Sequence, residues 1–132
     1  MCVEEYETVF QLVSVIEGDL DSSTATPTAV LAHSLPPGSM TGAPKKRSCE
    51  LLRSIEGANS PRGLYSGVLG YFDVGGGGDF SVVIRTAFRW RDEGVWRVGA
   101  GGAVTALSER KGEWEEMLAK RQSVLDVLLA SP

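Results

Sequence analysis

At 132 residues and 42% hydrophobic content, the chain has the size and apolar material of one domain with a sizeable core. Its net charge of −4 excludes a nucleic-acid partner, which would call for a basic stripe. Cys2 and Cys49 are too few for a disulfide framework and show no metal-ligand spacing with the single His33, the first ten residues are acidic rather than signal-like, and no apolar run has the length to cross a bilayer; a soluble, cytoplasmic protein is expected.

Residues 8–16 are rich in β-branched and apolar side chains and run into Glu17-Gly18-Asp19, the pattern of a strand and a turn. A Ser/Thr-rich loop over 21–28 leads to a short helix over 28–34. The segment Pro37-Gly38-Ser39-Met40-Thr41-Gly42-Ala43-Pro44-Lys45-Lys46-Arg47 then concentrates hydroxyls, glycines and three cations around the start of a helix expected over 43–55. Pro44 suits the first helical position, with Thr41 or Gly42 as cap. Three cations in the first turn oppose the positive end of the helix dipole, a cost that a bound carboxylate or phosphate would offset. A capped surface helix with solvated cations is the plainer alternative, and the spacing of a nucleotide phosphate loop is absent.

After a polar loop over 56–61, residues 65–74 and 80–90 flank four consecutive glycines and read as an antiparallel hairpin. No helix follows the glycines, which excludes a dinucleotide-binding loop. Alternation along residues 82–88 places Arg85 with Val83 and Ala87 on one strand face. A half-buried guanidinium there needs a carboxylate, from a structural ion pair or from a ligand that its planar fork matches. Residues 91–94 form a turn and 95–99 a third strand. The Gly99-Ala100-Gly101-Gly102-Ala103 turn can present bare backbone N–H groups to an anion or be a simple tight turn. The last helix is expected over 109–129, with Ser108 as its cap. On it Glu113, Glu116 and Lys120 share one face beside an apolar stripe of Trp114, Leu118 and Leu125. Such carboxylates either form a solvated face or hold a hard divalent cation through oxygen ligands. Strands on one sheet with helices packed on one face make the fold class α+β.

Four strings occur in order: PGSMTGAPKKRSCELL, RGLYSGVLGYF (62–72), GGGGDFSVVIRTAF (75–88) and GAGGAVTALSERKGEWEEMLAK (99–120). Together they resemble the C-terminal part of the chorismate-utilising enzymes, which include anthranilate, aminodeoxychorismate, isochorismate and salicylate synthases. The resemblance covers about residues 5–129 and is strongest to the fungal type of aminodeoxychorismate synthase (para-aminobenzoate synthase). It implies that residues 1–132 are the C-terminal portion of a chorismate-binding catalytic domain, one part of a large sandwich of two antiparallel sheets with helices outside. A part of that kind should expose apolar sheet surface, and so aggregate or pair.

The resemblance further implies that Arg85 binds a chorismate carboxylate with the Tyr65 hydroxyl alongside, and that Glu113 and Glu116 ligate Mg²⁺. Lys120 is implied to lie near a substrate carboxylate, with Ser39 and Thr41 holding the ring hydroxyl or a carboxylate and the Gly101-Gly102 turn approaching the substrate. Ala103 departs from a common family glycine. Gln11 stands where the anthranilate, isochorismate and salicylate branches usually carry histidine, which points to the aminodeoxychorismate branch, although an ordinary strand glutamine is the alternative. In the full enzyme a lysine attacks chorismate at C2, the 4-hydroxyl leaves with help from Mg²⁺, and ammonia from a glutamine amidotransferase adds at C4. That lysine, the general acid and a second pair of metal-binding glutamates belong to sequence N-terminal to this segment. The chain is therefore expected to be inactive without that part, and no catalytic residue is assigned within it. The alternatives are an anthranilate synthase fragment and a non-catalytic binding or scaffold domain descended from the family.

Overall fold

The computed structural model describes residues 1–21, 23 and 25–130; Ser22 and Thr24 of the expected Ser/Thr-rich loop lie outside the described residues. The elements run β1 (Cys2–Glu5), β2 (Phe10–Val13), α1 (Pro27–Ser34), a 3-10 turn (Gly38–Met40), α2 (Lys45–Glu56), β3 (Val68–Phe72), β4 (Gly78–Val82), β5 (Ala87–Phe88), β6 (Arg97–Val98) and α3 (Arg110–Ala130). The class is α+β. The strands form three separate antiparallel pairs, β1–β2, β3–β4 and β5–β6, rather than the single sheet expected.

The strand expected over 8–16 shortens to β2 and finds a partner in the acidic β1, with Val3 opposite Leu12 and Glu5 opposite Phe10. Those four side chains share one face, and Val3, Phe10 and Leu12 are all exposed. Helix α1 starts one residue earlier than expected because Thr26 caps it, its Oγ1 accepting the Ala29 N–H at 3.3 Å. Helix α2 starts two residues later than expected. Pro44 is extended and stands at the cap position, while Thr41 Oγ1 donates to the Pro37 carbonyl at 3.2 Å and so folds the 3-10 turn instead of capping α2.

The hairpin joins Val68 to Val82 and Phe72 to Gly78. Asp73 closes its turn by accepting the Gly77 N–H on Oδ1 at 3.0 Å, and Gly76 takes the left-handed φ of 90° that the turn requires. The strand expected over 80–90 is broken. Val83 still exchanges bonds with Ser66 and Gly67, but the Ile84 N–H then turns back to the Val82 carbonyl and Arg85 adopts φ 50°, so that β5 restarts in a new direction and pairs with β6. Helix α3 packs on β5 and β6, turning the half-buried Met117, Leu118, Val124, Leu125 and Leu128 inward; Trp114, assigned to that stripe, is exposed.

Among the described residues none is fully buried. The surface is 11,020 Å², whereas a compact 14.1 kDa protein exposes about 6,700 Å² by the usual size scaling. Small sheets with one or both faces open account for the excess. No helix among the described residues is long and apolar enough to cross a membrane.

Candidate functional site

Tyr65 lies against the glycine turn that precedes α3. A Cβ at Gly99 would overlap its ring, and one at Gly101 would stand 2.9 Å from its hydroxyl, so both positions stay bare for the ring to cross the backbone. One residue on, a Cβ at Gly102 would approach Glu113 Oε2 to 3.0 Å. Glu113 is further held by Ser108, whose hydroxyl donates to Oε1 at 2.5 Å while accepting the Thr105 N–H at 2.9 Å. Ser108 was expected as the cap of α3; its oxygen instead serves the preceding loop and its proton fixes a carboxylate. The geometry thus joins Tyr65, Gly101, Gly102 and Glu113 in one continuous contact.

One turn along α3, Glu116 pairs with Lys120. The Lys120 ammonium, by hydrogen bonding and charge, holds the Glu116 carboxyl below the ordinary glutamate range, and the Arg85 guanidinium adds to the same effect. Arg85 is exposed rather than half-buried, and it leaves the strand face that alternation predicted because the left-handed backbone re-aims it. Among the described residues it has no ion-pair or hydrogen-bond partner, while with Ala87 it borders a groove of about 500 Å³ against Ser123, Val124, Val127 and Leu128 of α3. Arg85, Glu116 and Lys120 therefore occupy one neighbourhood.

Ser39 lies in the 3-10 turn and Thr41 at its C-terminal end. Thr41 and Tyr65 line a second, open groove of about 630 Å³ between α2 and the loop that follows it. The cations of the expected anion seat are partly answered from within the chain. Lys45 Nζ donates to the Ser34 carbonyl at the end of α1 at 3.2 Å, and Arg47 pairs with Glu50 at 3.3 Å. Gln11 lies on the β1–β2 hairpin opposite Glu4, exposed. No role for Arg62 or Glu56 follows from periodicity or spacing, yet the fold joins them by two hydrogen bonds. A signal existed in the arginine that opens the RGLYSGVLGYF string.

The donor chemistry suits magnesium. Mg²⁺ is commonly held by one or two carboxylates, with water and substrate oxygens completing its shell. Glu113 and Glu116 offer such a pair on one helix face, although among the described residues no cluster of three or more ligating side chains forms. The Glu116–Lys120 pair is largely exposed on the glutamate side, and exchanging such a partner costs little.

Comparison with known proteins identifies the family. The chorismate binding enzyme family matches residues 1–126. The aminodeoxychorismate synthase of Saccharomyces cerevisiae is 46% identical over 98% of this chain and 18% of its own length; that of Streptomyces pristinaespiralis is 47% identical over 96% and 17%. Anthranilate synthase component 1 of Mycolicibacterium smegmatis is 40% identical over 98% of this chain and 24% of its own length. The chain thus spans less than a fifth of the length of the aminodeoxychorismate synthases it matches. No solved structure matches it. On a family match across nearly its whole length and relatives at 46–47% identity over nearly all of it, the chain belongs to the chorismate binding enzyme family.

Proposed function

We propose that this chain is the chorismate- and Mg²⁺-binding portion of an aminodeoxychorismate synthase, which converts chorismate and glutamine-derived ammonia to 4-amino-4-deoxychorismate on the route to para-aminobenzoate and folate. The observation that carries the proposal is the gathering of unlike groups at one helix. Tyr65 lies on the bare glycine backbone that also approaches Glu113 in the first turn of α3, and one turn later the charge of the Arg85 guanidinium is felt at Glu116. A scaffold would have no use for a guanidinium without an ion-pair partner among the described residues set near the carboxylate-bearing face of α3.

In this reading Arg85 grips a chorismate carboxylate with its planar fork and fixes the ring's orientation. The Tyr65 hydroxyl donates to the same carboxylate. Glu113 and Glu116 would hold Mg²⁺, which supplies charge neutralisation for a substrate carboxylate. Lys120, when released by Glu116, faces that carboxylate as a second cation. Ser39 and Thr41 supply hydroxyls to the far side of the ring, and Gly101 and Gly102 let the ligand approach the backbone. The partners are the N-terminal part of the synthase, which brings the nucleophile, and a glutamine amidotransferase domain or subunit as the ammonia source; the compartment is the cytoplasm. The relatives named aminodeoxychorismate synthase, at 46–47% identity against 40% for the anthranilate enzyme, favour this branch, and so does Gln11.

The test is complementation. The chain, mixed with the remaining N-terminal portion of a fungal aminodeoxychorismate synthase, should form 4-amino-4-deoxychorismate from chorismate and ammonium, and the doubly substituted E113Q/E116Q chain should not. Anthranilate as the product, or no turnover under any mixing ratio, would overturn the proposal.

A further inference from the structure

Arg62 stands outside every group assigned to substrate or cation, yet it is the most connected side chain described. Its Nε donates to Glu56 Oε2 at 2.8 Å and its Nη2 to Glu56 Oε1 at 2.6 Å. Its Nη1 donates both to the Met40 carbonyl and to Ser66 Oγ, each at 2.9 Å. Glu56 neutralises the guanidinium bidentately, so Arg62 is not a receptor for a substrate carboxylate. What it does is tie the 3-10 turn at Met40, 22 residues away, to the end of α2 and to the turn at Ser66.

Two of those segments carry proposed ligand groups. Met40 lies between Ser39 and Thr41. Ser66 follows Tyr65 and is itself held at the left-handed φ of 75°, a conformation that persists only where the surroundings impose it. The Ser66 N–H in turn donates at 3.0 Å to the carbonyl of Val83, two residues before Arg85. From one partly shielded side chain, the chain thus reaches the loop hydroxyls, the tyrosine and the strand end that leads to the arginine fork.

We propose that Arg62 is a positioning residue of the chorismate site: it sets the loop of Ser39 and Thr41 in register with Tyr65 and with the approach to Arg85, without touching the substrate. The role rests on the chorismate-binding function proposed above. Lysine cannot reproduce it, since a single ammonium has no planar fork to meet Glu56 twice while serving two further acceptors.

Calorimetric titrations of chorismate and of Mg²⁺ into the parent chain, R62K and S66A, with amide hydrogen exchange followed at residues 39–42 and 65–67, test this. R62K should weaken chorismate binding by about tenfold and faster exchange should appear in both segments together, while Mg²⁺ affinity, which depends on α3, stays within about twofold. S66A should show a smaller loss, with exchange raised at 65–67 alone. Unchanged chorismate affinity in R62K would overturn the role, and so would a parallel loss of chorismate and Mg²⁺ binding, which would mark Arg62 as a fold residue only. If the parent chain bound no chorismate either alone or with the N-terminal part of the synthase added, the proposed function would be the casualty; the exchange data would still decide the tether, which fails unless both segments loosen together in R62K.

Discussion

At Arg85 the chain accepts a left-handed backbone at a non-glycine residue, at a cost of about 1–3 kcal/mol. Glycine would relieve that cost, which separates backbone from side chain in a direct way. R85G is expected to leave thermal stability unchanged or slightly raised while abolishing chorismate binding, and R85K, which keeps charge but loses the fork, should weaken binding about tenfold; melting curves and calorimetry check both. Glu116 gives a pH prediction. Its carboxyl is held below the ordinary range by Lys120, so it is charged in the folded chain at pH values where an unfolded glutamate has taken up a proton. The stabilisation from that shift is present above the ordinary glutamate range, about pH 4–5, and is lost as pH falls through the lowered folded value. In K120M that acid-sensitive contribution should be absent, so denaturant unfolding across pH should show a smaller loss of stability between neutral and acidic solution than in the parent chain.

At the scale of elements, the glycine turn before α3 is defined by what it leaves out. A methyl group at Gly99 would meet the ring of Tyr65 close to its Cβ, where the side chain has no freedom to swing aside. G99A should destabilise the chain by about 1–3 kcal/mol, and Y65A should remove most of that penalty in the double substitution G99A/Y65A, a non-additivity measurable by denaturant unfolding. Much of this level was legible in the sequence. Helix α3 lies within one residue of expectation at both ends, and the glycine-linked hairpin follows from two apolar runs around a flexible turn. The break at Arg85 was not legible, because residues 82–88 alternate like a continuous strand and the turning residue is not a glycine. Nor was the pairing of β1, whose acidic residues carry no strand signal, or the Arg62 network, which spans 22 residues to reach Met40. Periodicity reports a segment's own face; contacts between distant segments leave no trace in it.

For the whole molecule, the consequence is surface. Three two-stranded sheets, none of which buries a residue completely, leave much of a sequence with 42% hydrophobic residues open, the surface expected of a part that other polypeptide covers. The β1–β2 hairpin is the extreme case, with Val3, Phe10 and Leu12 bare on one face. Amide exchange over residues 2–13 of the isolated chain should be close to unprotected, and light scattering should show concentration-dependent association that the N-terminal part of the synthase suppresses. A monomeric chain with a protected hairpin would contradict this.

The central claim is that the guanidinium of Arg85 and the carboxylates of Glu113 and Glu116 act on one ligand. Chorismate affinity measured by calorimetry with and without Mg²⁺ tests it most directly, since two ligands that share a site must alter each other's binding equally. Mg²⁺ should tighten chorismate binding at least about fivefold, with the effect gone in E113Q/E116Q. Equal chorismate affinity in the presence and absence of the cation would contradict the account.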